Sequence, residues 1–139
     1  MADKKIFFTD KAPMPKGPYS QAVIHNGLLY LSGQIPVDPV TAQLVRGTIE
    51  EETERVIHNM KIIIEEAGAK LEDILKVTCY LADMEDLGRF NDVYKNYFSE
   101  NPPVRTTVQA AGLPLDVQVE IDAIVALPYP KSLTPAFEL

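Results

Sequence analysis

Strict alternation of apolar and polar side chains over residues 117–125 constrains the fold of this chain more than any other feature. One set of alternate positions is wholly apolar and the other is mostly polar: Val117, Val119, Ile121, Ala123 and Val125 form the first, and Gln118, Glu120, Asp122 and Ile124 the second. Side chains of a β-strand point alternately to its two faces, so one face of this strand belongs to a core and the other lies outside it. The pattern predicts a sheet that is covered on one side.

Other short apolar runs predict further strands. They lie at 6–8, 22–24, 28–31 and 75–81, and one more is expected just after Pro102-Pro103. Asn26-Gly27 separates the second and third runs, and this dipeptide is typical of the type I′ turn of a β-hairpin. A turn over 112–116 is predicted to join the last two strands.

Two amphipathic helices complete the pattern. Thr48 and Glu51 have the spacing of a capping box, and the helix that they begin is predicted to stop at Gly68. A second helix is predicted to end near Phe98. Its apolar stripe, typical of a core face, consists of Leu87, Phe90, Tyr94, Tyr97 and Phe98. The predicted fold class is α+β, a mixed sheet with both helices on one face.

Length and composition favour a single globular domain. The chain has 139 residues, of which 46% are hydrophobic and 24% charged, so residues 1–139 are predicted to form one domain. Residues 128–139 contain three prolines and are predicted to be an extended tail. No run approaches the roughly 18 apolar residues of a membrane helix, and the first residues do not have the pattern of a signal peptide.

Charge and cysteine content bound the partners and the compartment. The formal net charge is −7, which disfavours nucleic acid as a partner. The single cysteine, Cys79, fits a reducing cytosol, and its place in an alternating apolar strand predicts a core residue. No metal-ligand spacing is present, so no metal or cofactor is expected.

Two charged residues in the last two strands are the main candidates for chemistry. Arg105 offers a planar fork that suits a carboxylate or phosphate, and Glu120 interrupts an apolar strand. Charges in such positions are costly unless they are paired or used. The two strands are predicted to be neighbours, so Arg105 and Glu120 are either a structural ion pair or the two ends of a site.

Five further residues are weaker candidates. Thr107 shares one strand face with Arg105, and Tyr19 lies in a Gly/Pro-containing loop where it could cover a small ligand. Ser32 and Gly33 follow an apolar strand, and the glycine permits close approach of the backbone. Asn91 is one step off the apolar stripe of the second helix, where an exposed position is the default.

The uncovered sheet face has a consequence for assembly. A partly apolar face of this size usually marks an interface. The chain is therefore expected to associate through its sheets, which puts clefts between subunits.

At these residues the chain resembles the RidA/YjgF family, the reactive-intermediate (enamine/imine) deaminases. The resemblance spans about residues 6 to 127. It rests on these segments: Gly17-Pro18-Tyr19-Ser20-Gln21-Ala22, Leu31-Ser32-Gly33-Gln34-Ile35-Pro36, Asn59-Met60-Lys61, Val77-Thr78-Cys79-Tyr80-Leu81, Asn91-Asp92-Val93-Tyr94, Pro103-Val104-Arg105-Thr106 and Val119-Glu120-Ile121-Asp122-Ala123-Ile124. Two positions depart from the family, since many members have Cys at Thr107 and Gly at Ala42.

The resemblance implies a chorismate-mutase-like α+β fold and a homotrimer with its sheets packed inward. It implies a site in each cleft between subunits, with Arg105 binding a substrate carboxylate and Glu120 positioning water. Tyr19 is then expected to close the site, and Ser32, Gly33 and Thr107 to line it, with Asn91 as a further substrate-binding residue. The implied reaction is hydrolysis of a 2-imino acid such as 2-iminobutanoate or 2-iminopropanoate to the 2-keto acid and ammonia.

Two other functions stay open at the level of sequence. A protein that binds 2-keto acids or related metabolites without turnover would use the same arginine. Some members of the family have been described as translation inhibitors or ribonucleases, although the acidic charge argues against an RNA-directed activity here.

Overall fold

A computed structural model describes residues 3–128 of the chain, so most of the predicted tail, 128–139, lies outside the described residues. The strands are β1 (Lys5–Phe7), β2 (Ala22–His25), β3 (Leu28–Gln34), β4 (Ile74–Leu81), β5 (Val104–Gln109) and β6 (Val119–Ala126), and the helices are α1 (Ile49–Glu66) and α2 (Leu87–Tyr94). Short 3-10 turns cover Leu71–Asp73, Met84–Asp86 and Pro114–Asp116.

The six strands form one mixed sheet in the order β1-β2-β3-β6-β4-β5. Only β4 and β5 are parallel, and the other neighbours are antiparallel. The parallel pair follows from chain order, because α2 provides the crossover that a parallel connection needs. The predicted α+β class and mixed sheet are confirmed.

Strand β6 lies in the middle of the sheet and not beside β5. It pairs with β3 on one side and β4 on the other, so the prediction that the last two strands are neighbours is wrong. Burial gives the reason, since alternate residues of β6 are fully buried. Most of β5 is exposed, and an exposed strand suits the edge of the sheet.

Both helices cover the same face of the sheet. The core joins side chains of α1 and α2 to one face of the central strands, and its largest fully buried members are Leu29, Ile49, Val56, Ile57, Met60, Ile63, Ile64, Val77, Leu81, Phe90, Val119 and Ile121. Cys79 is also fully buried in this core, as predicted. In the described residues, no helix is long and apolar enough to cross a bilayer.

The predicted turn and caps form as expected. Asn26 and Gly27 have φ angles of 50° and 76°, which a type I′ turn requires. Thr48 and Glu51 make both hydrogen bonds of the capping box, and Gly68 follows α1 with φ 94°. Helix α2 ends at Tyr94, four residues short of the predicted end.

The chain leaves α2 through tight turns. The N–H groups of Asn96 and Tyr97 donate to carbonyls three residues earlier, those of Val93 and Tyr94, while Phe98 keeps the α-helical bond to Tyr94. Tighter bonds of the 3-10 type therefore interrupt the last predicted turn of helix. Phe98 still packs against Tyr94, with ring centroids 4.4 Å apart. Core packing of the predicted stripe therefore persists beyond the helix.

The opposite face of the sheet, called the open face below, carries a mixture of apolar and polar side chains. Register places Ile6, Val23, Tyr30, Ile124, Lys76 and Val104 in one row across it. Ile6, Tyr30 and Val104 are exposed. The predicted uncovered, partly apolar face is present in the single chain.

Candidate functional site

Glu120 lies on the open face in the middle of the sheet, where it lines a cleft of about 610 Å³. Tyr19, Ser32 and Gly33 line the same cleft. Its remaining lining residues are Pro13, Met14, Pro15, Lys16, Gln21, Gln34, Ile35, Val37, Pro39, Ala42, Leu44, Pro114 and Leu115. Four of the seven sequence-predicted site residues thus share one cleft, called the glutamate cleft from here on.

Gly33 leaves room for the carboxylate of Glu120 in its observed position. A Cβ atom at position 33 would lie 2.0 Å from Oε2 of Glu120, far inside any allowed contact. The carboxylate therefore lies directly against the backbone of β3. This is the close backbone approach that the sequence predicted for Gly33.

Hydrogen bonds fix the walls around this carboxylate. Ser32 donates from Oγ to the carbonyl of Ser20 at 2.6 Å. Gln21, which is buried, accepts from the N–H of Thr9 at 2.8 Å and donates to the carbonyls of Thr9 and Pro13 at 3.0 Å. The segment that carries Tyr19 is held at both ends by these bonds.

Tyr19 itself is an exposed side chain at the mouth of the cleft. Its N–H donates to the carbonyl of Gly17 at 2.8 Å. Its ring lies over Gly17, where a Cβ atom would be 3.2 Å from the ring edge. The glycine therefore permits the ring position.

The environment of Glu120 alters its acidity. Partial burial raises the pKa of Glu120, and the negative charge of Asp122 raises it further. Asp122 is two residues along β6 on the same face, and its Oδ2 accepts from the hydroxyl of Tyr80 at 3.3 Å. A carboxyl with a raised pKa accepts and returns a proton closer to neutral pH than an ordinary glutamate does.

Arg105 belongs to a second group of residues, the arginine cluster, on the helix-covered face at the sheet edge. Its Nη1 donates to Oδ1 of Asn91 at 2.9 Å. Its guanidinium carbon lies 4.7 Å from the ring centroid of Tyr94 and 5.7 Å from that of Phe90, both within cation–π range. Asn91 and the two aromatic rings thus fix the orientation of an exposed guanidinium.

Thr107 shares the strand face of Arg105 and pairs in register with Cys79. The hydroxyls of Thr107 and Tyr94 are both buried, and neither has a hydrogen-bond partner within residues 3–128. Burial raises the pKa of Tyr94 and that of the Cys79 thiol each to about 12. Cys79 is therefore a neutral thiol at physiological pH and no nucleophile.

Arg105 and Glu120 do not meet within one chain. Arg105 is in register with Val77, and Glu120 is in register with Tyr80, on the other side of β4. Two strand spacings of about 4.8 Å and three residues of about 3.3 Å separate their Cα atoms by on the order of 14 Å. Because their side chains point to opposite faces, they form neither the ion pair nor the single-chain site that adjacent strands would allow.

Two residues of these groups escaped the sequence analysis as functional candidates. Tyr94 belongs to the apolar stripe of α2, which concealed its position under Arg105. The available signal was its spacing from Asn91, because residues three apart share a helix face. Asp122 shares a strand face with Glu120 and could have been identified from the same alternation.

The described residues offer no grouping suited to a metal. Within 3–128, no three His, Cys, Asp or Glu side chains are arranged to hold an ion. His58 contacts Tyr97 at 3.0 Å and Glu54 at 3.5 Å, and His25 contacts the carbonyl of Asp3 at 2.6 Å. Neither histidine lines the glutamate cleft.

Comparison with known proteins gives consistent matches over nearly the whole described chain. A RutC family protein of Pyrococcus abyssi is 50% identical over 121 residues, which cover 87% of this chain and 95% of that protein. A 2-iminobutanoate/2-iminopropanoate deaminase of Dermatophagoides farinae is 42% identical over 127 residues, which cover 91% of this chain and 99% of that protein.

Solved structures agree with these sequence matches. The crystal structure of E. coli TdcF with bound serine superposes with a TM-score of 0.84 at 38% identity, covering 89% of this chain and 99% of that chain. The model of the family described as Endoribonuclease L-PSP matches residues 9–127. The chain therefore belongs to this L-PSP family, which is the RidA/YjgF family that its sequence motifs indicate.

Proposed function

We propose that the protein hydrolyses reactive 2-imino acids, or their enamine tautomers, to 2-keto acids and ammonia. The observation that carries the proposal is the presence of two groups, a cation and a carboxyl, whose chemistry suits such a substrate. Arg105 is an exposed fork oriented by Asn91 and Tyr94, and Glu120 is a half-buried carboxyl with a raised pKa on the wall of a cleft. The named activity of the relative from Dermatophagoides farinae supports this choice.

A complete site requires a second copy of the chain, because one chain carries Arg105 and Glu120 on opposite faces. The arginine cluster lies at the free edge of β5, and the glutamate cleft opens on the face that the helices leave uncovered. Contact between two such different surfaces is heterologous and can close into a ring. We propose a homotrimer with the sheets packed inward and one site in each cleft between subunits.

In the proposed mechanism Arg105 holds the substrate carboxylate with two parallel hydrogen bonds. The imine nitrogen carries a proton, and Glu120 orients a water molecule and takes its proton as the oxygen adds to C2. The proton then passes to the nitrogen of the carbinolamine. Glu120, ionised again, takes the proton of the carbinolamine hydroxyl as the C–N bond breaks, so that the C=O bond of the keto acid forms and ammonia leaves. Glu120 then releases this proton to solvent, where ammonia takes it up as ammonium.

The remaining residues support these two. Tyr19 is proposed to close the cleft over the substrate, and Ser32 and Gly33 to line the wall beside Glu120. Asn91 keeps the fork of Arg105 in place, and the unpartnered hydroxyl of Thr107 offers a hydrogen bond on the arginine side. Free imines hydrolyse in water unaided, so the protein needs to lower the activation barrier by only a few kcal/mol. Each reduction of about 1.4 kcal/mol raises the rate tenfold.

Ammonia release from an imine generated in situ by an amino acid oxidase tests the reaction. The wild-type protein is expected to accelerate release, and Arg105→Ala to lose most of that acceleration. Lys61→Ala, which removes a cation from the exposed side of α1, serves as the control. Full activity of Arg105→Ala would contradict the assignment.

Subunit mixing tests where the two groups meet. Arg105→Ala and Glu120→Gln are each expected to be inactive alone. Mixed in equal amounts under conditions that exchange subunits, they are expected to recover about a quarter of the wild-type activity, since a quarter of the clefts then pair an intact arginine with an intact glutamate. Absence of recovery after verified exchange would contradict a shared site.

Binding without turnover is the second candidate function. It is favoured by the neighbour structure that contains bound serine, a small carboxylate of the kind that Arg105 could hold. Titration with 2-ketobutyrate in parallel with the ammonia assay separates the two. Binding with no acceleration would favour a sensor.

The chain is proposed to work as one domain over 1–139 in the cytoplasm, on the basis of its length and its single cysteine. Fractionation of cells that produce the full chain checks the location.

A further inference from the structure

We propose that the glutamate cleft selects imino acids with a long apolar side chain, and that Leu115 is the residue that sets this selectivity. The inference rests on the proposed deaminase function and specifies the substrate class of the same site. It is carried by the lining of the cleft and by the conformation of Leu115.

The wall of the cleft that one chain supplies is mostly apolar. Apart from Glu120, its lining is dominated by aliphatic and proline side chains: Pro13, Met14, Pro15, Ile35, Val37, Pro39, Leu44, Pro114 and Leu115. This wall therefore offers an apolar surface to a branched aliphatic group.

Leu115 presents its side chain to this cleft from an unfavourable backbone conformation. It has φ 55° and ψ 24° and is followed by Asp116 with φ 58°. Residues other than glycine pay about 1–2 kcal/mol for the left-handed region. The side chain nevertheless stays 61% exposed, so no internal packing of Leu115 compensates for the strain.

Neighbouring hydrogen bonds hold the strained turn in place. Arg46 donates from Nη2 to the carbonyl of Leu115 at 3.0 Å. The buried carboxylate of Glu52 accepts from the backbone N–H of Gln118 at 2.9 Å and also from its side-chain amide. That amide also donates to the carbonyl of Gly47 at 2.8 Å. The beginning of α1 thus fixes the turn that carries Leu115.

Strain that is held by its surroundings and exposes an apolar side chain in a cleft is typical of a binding element. A substrate side chain long enough to reach Leu115 removes its surface from water, and a shorter one leaves that surface exposed. Each additional methylene that makes such a contact changes the ratio of the kcat/KM values of two substrates by at most a factor of about 10–200. The cleft is therefore proposed to select imino acids with longer apolar side chains.

The test compares the imines derived from leucine and from alanine, each generated in situ by an amino acid oxidase. The wild-type kcat/KM is expected to be about tenfold or more higher for the leucine-derived imine. Leu115→Asn is expected to lower this ratio by about tenfold. Asparagine is suitable because it accepts the left-handed conformation, so the turn can keep its shape without the apolar group.

Leu75→Asn is the matched control, because Leu75 is 48% exposed and lies outside the cleft lining. It is expected to leave the ratio unchanged. Equal kcat/KM values for the two imines, or a ratio insensitive to Leu115→Asn in a variant with wild-type thermal stability, would overturn the proposal.

Binding of keto acids separates this inference from the function on which it rests. Titration with 4-methyl-2-oxopentanoate and pyruvate is expected to give the same preference and the same effect of Leu115→Asn. If neither imine is hydrolysed, the deaminase proposal fails while the ratio of these two affinities still decides the selectivity. Equal affinities would overturn it.

Discussion

At the scale of single residues, the acidity of Glu120 depends on two physical effects. The carboxyl is partly removed from water between the backbone of Gly33 and the centre of the sheet, and burial disfavours its charged form. Asp122 adds a like charge on the same strand face. Both effects keep the proton on Glu120 to a higher pH than an ordinary glutamate would hold it.

Asp122→Asn tests this dependence. The substitution removes the neighbouring charge, so the pKa of Glu120 falls and its ionised form persists to lower pH. The acid limb of the kcat profile for imine hydrolysis is expected to move to lower pH. Asp92→Asn, on the exposed side of α2, should not move it, and an unmoved limb in Asp122→Asn would show that another group controls the profile.

The identities of the site residues could be predicted from sequence, but their arrangement could not. Arg105 and Glu120 stand out because each is a charge in an apolar strand. Alternation along a strand shows which of its own residues share a face, but not which strand lies beside it. Nothing local in 104–126 reveals that β4 lies between β5 and β6. The position of β6 depends on competition among all strands for the buried centre of the sheet, which is a property of the whole fold.

At the scale of elements, Asn59 links α1 to the loop that forms one wall of the cleft. The side chain is fully buried. Its Nδ2 donates to the carbonyls of Ile35 and Val37 at 3.2 and 2.8 Å, and its Oδ1 accepts from Nε of Arg55 at 3.1 Å. Helix α1 therefore supports the loop as well as the core.

Asn59→Ala is expected to lower the free energy of unfolding by about 1–3 kcal/mol, because it leaves two backbone carbonyls without their donor. Urea denaturation measures the loss. Lys61→Ala, on the exposed side of the same helix, should change stability by less than about 0.5 kcal/mol. Equal effects of the two substitutions would show that the loop does not depend on Asn59.

Local signals predicted the elements more accurately than their ends. Thr48, Glu51, Asn26 and Gly27 act through hydrogen bonds and dihedral angles within a few residues, so the sequence contains their whole cause. The end of α2 at Tyr94 was missed because the apolar stripe continues to Phe98, and core packing is compatible with either helix or tight turns. The turn over 112–116 was predicted, but the positive φ of Leu115 had no local signal. Distant residues hold it, since Arg46 bonds the carbonyl of Leu115 and Glu52 bonds nearby Gln118.

At the scale of the whole molecule, the open face governs assembly. Tyr30 lies within its central row, in register with Ile124 of β6, and is 42% exposed. A charge at this position can remain solvated in a single chain but would be buried in the proposed trimer. Burying an unpaired charge is costly.

Tyr30→Glu is therefore expected to yield a folded species with the mass of one chain, 15.5 kDa, and to abolish imine hydrolysis. Light scattering and circular dichroism measure mass and fold. Val40→Glu, at a fully exposed loop position, is expected to keep the mass and activity of the wild-type protein. A Tyr30→Glu variant that keeps the wild-type mass would place the interface elsewhere.

The placement of Arg105 and Glu120 on opposite faces of one sheet also has a genetic consequence. In the proposed ring each chain supplies its arginine to one cleft and its glutamate to another. A folded copy with changes at both positions would disable two clefts of any ring that it enters. Such an allele would be dominant-negative in a cell that also makes the normal protein, whereas an allele whose product cannot fold would be recessive.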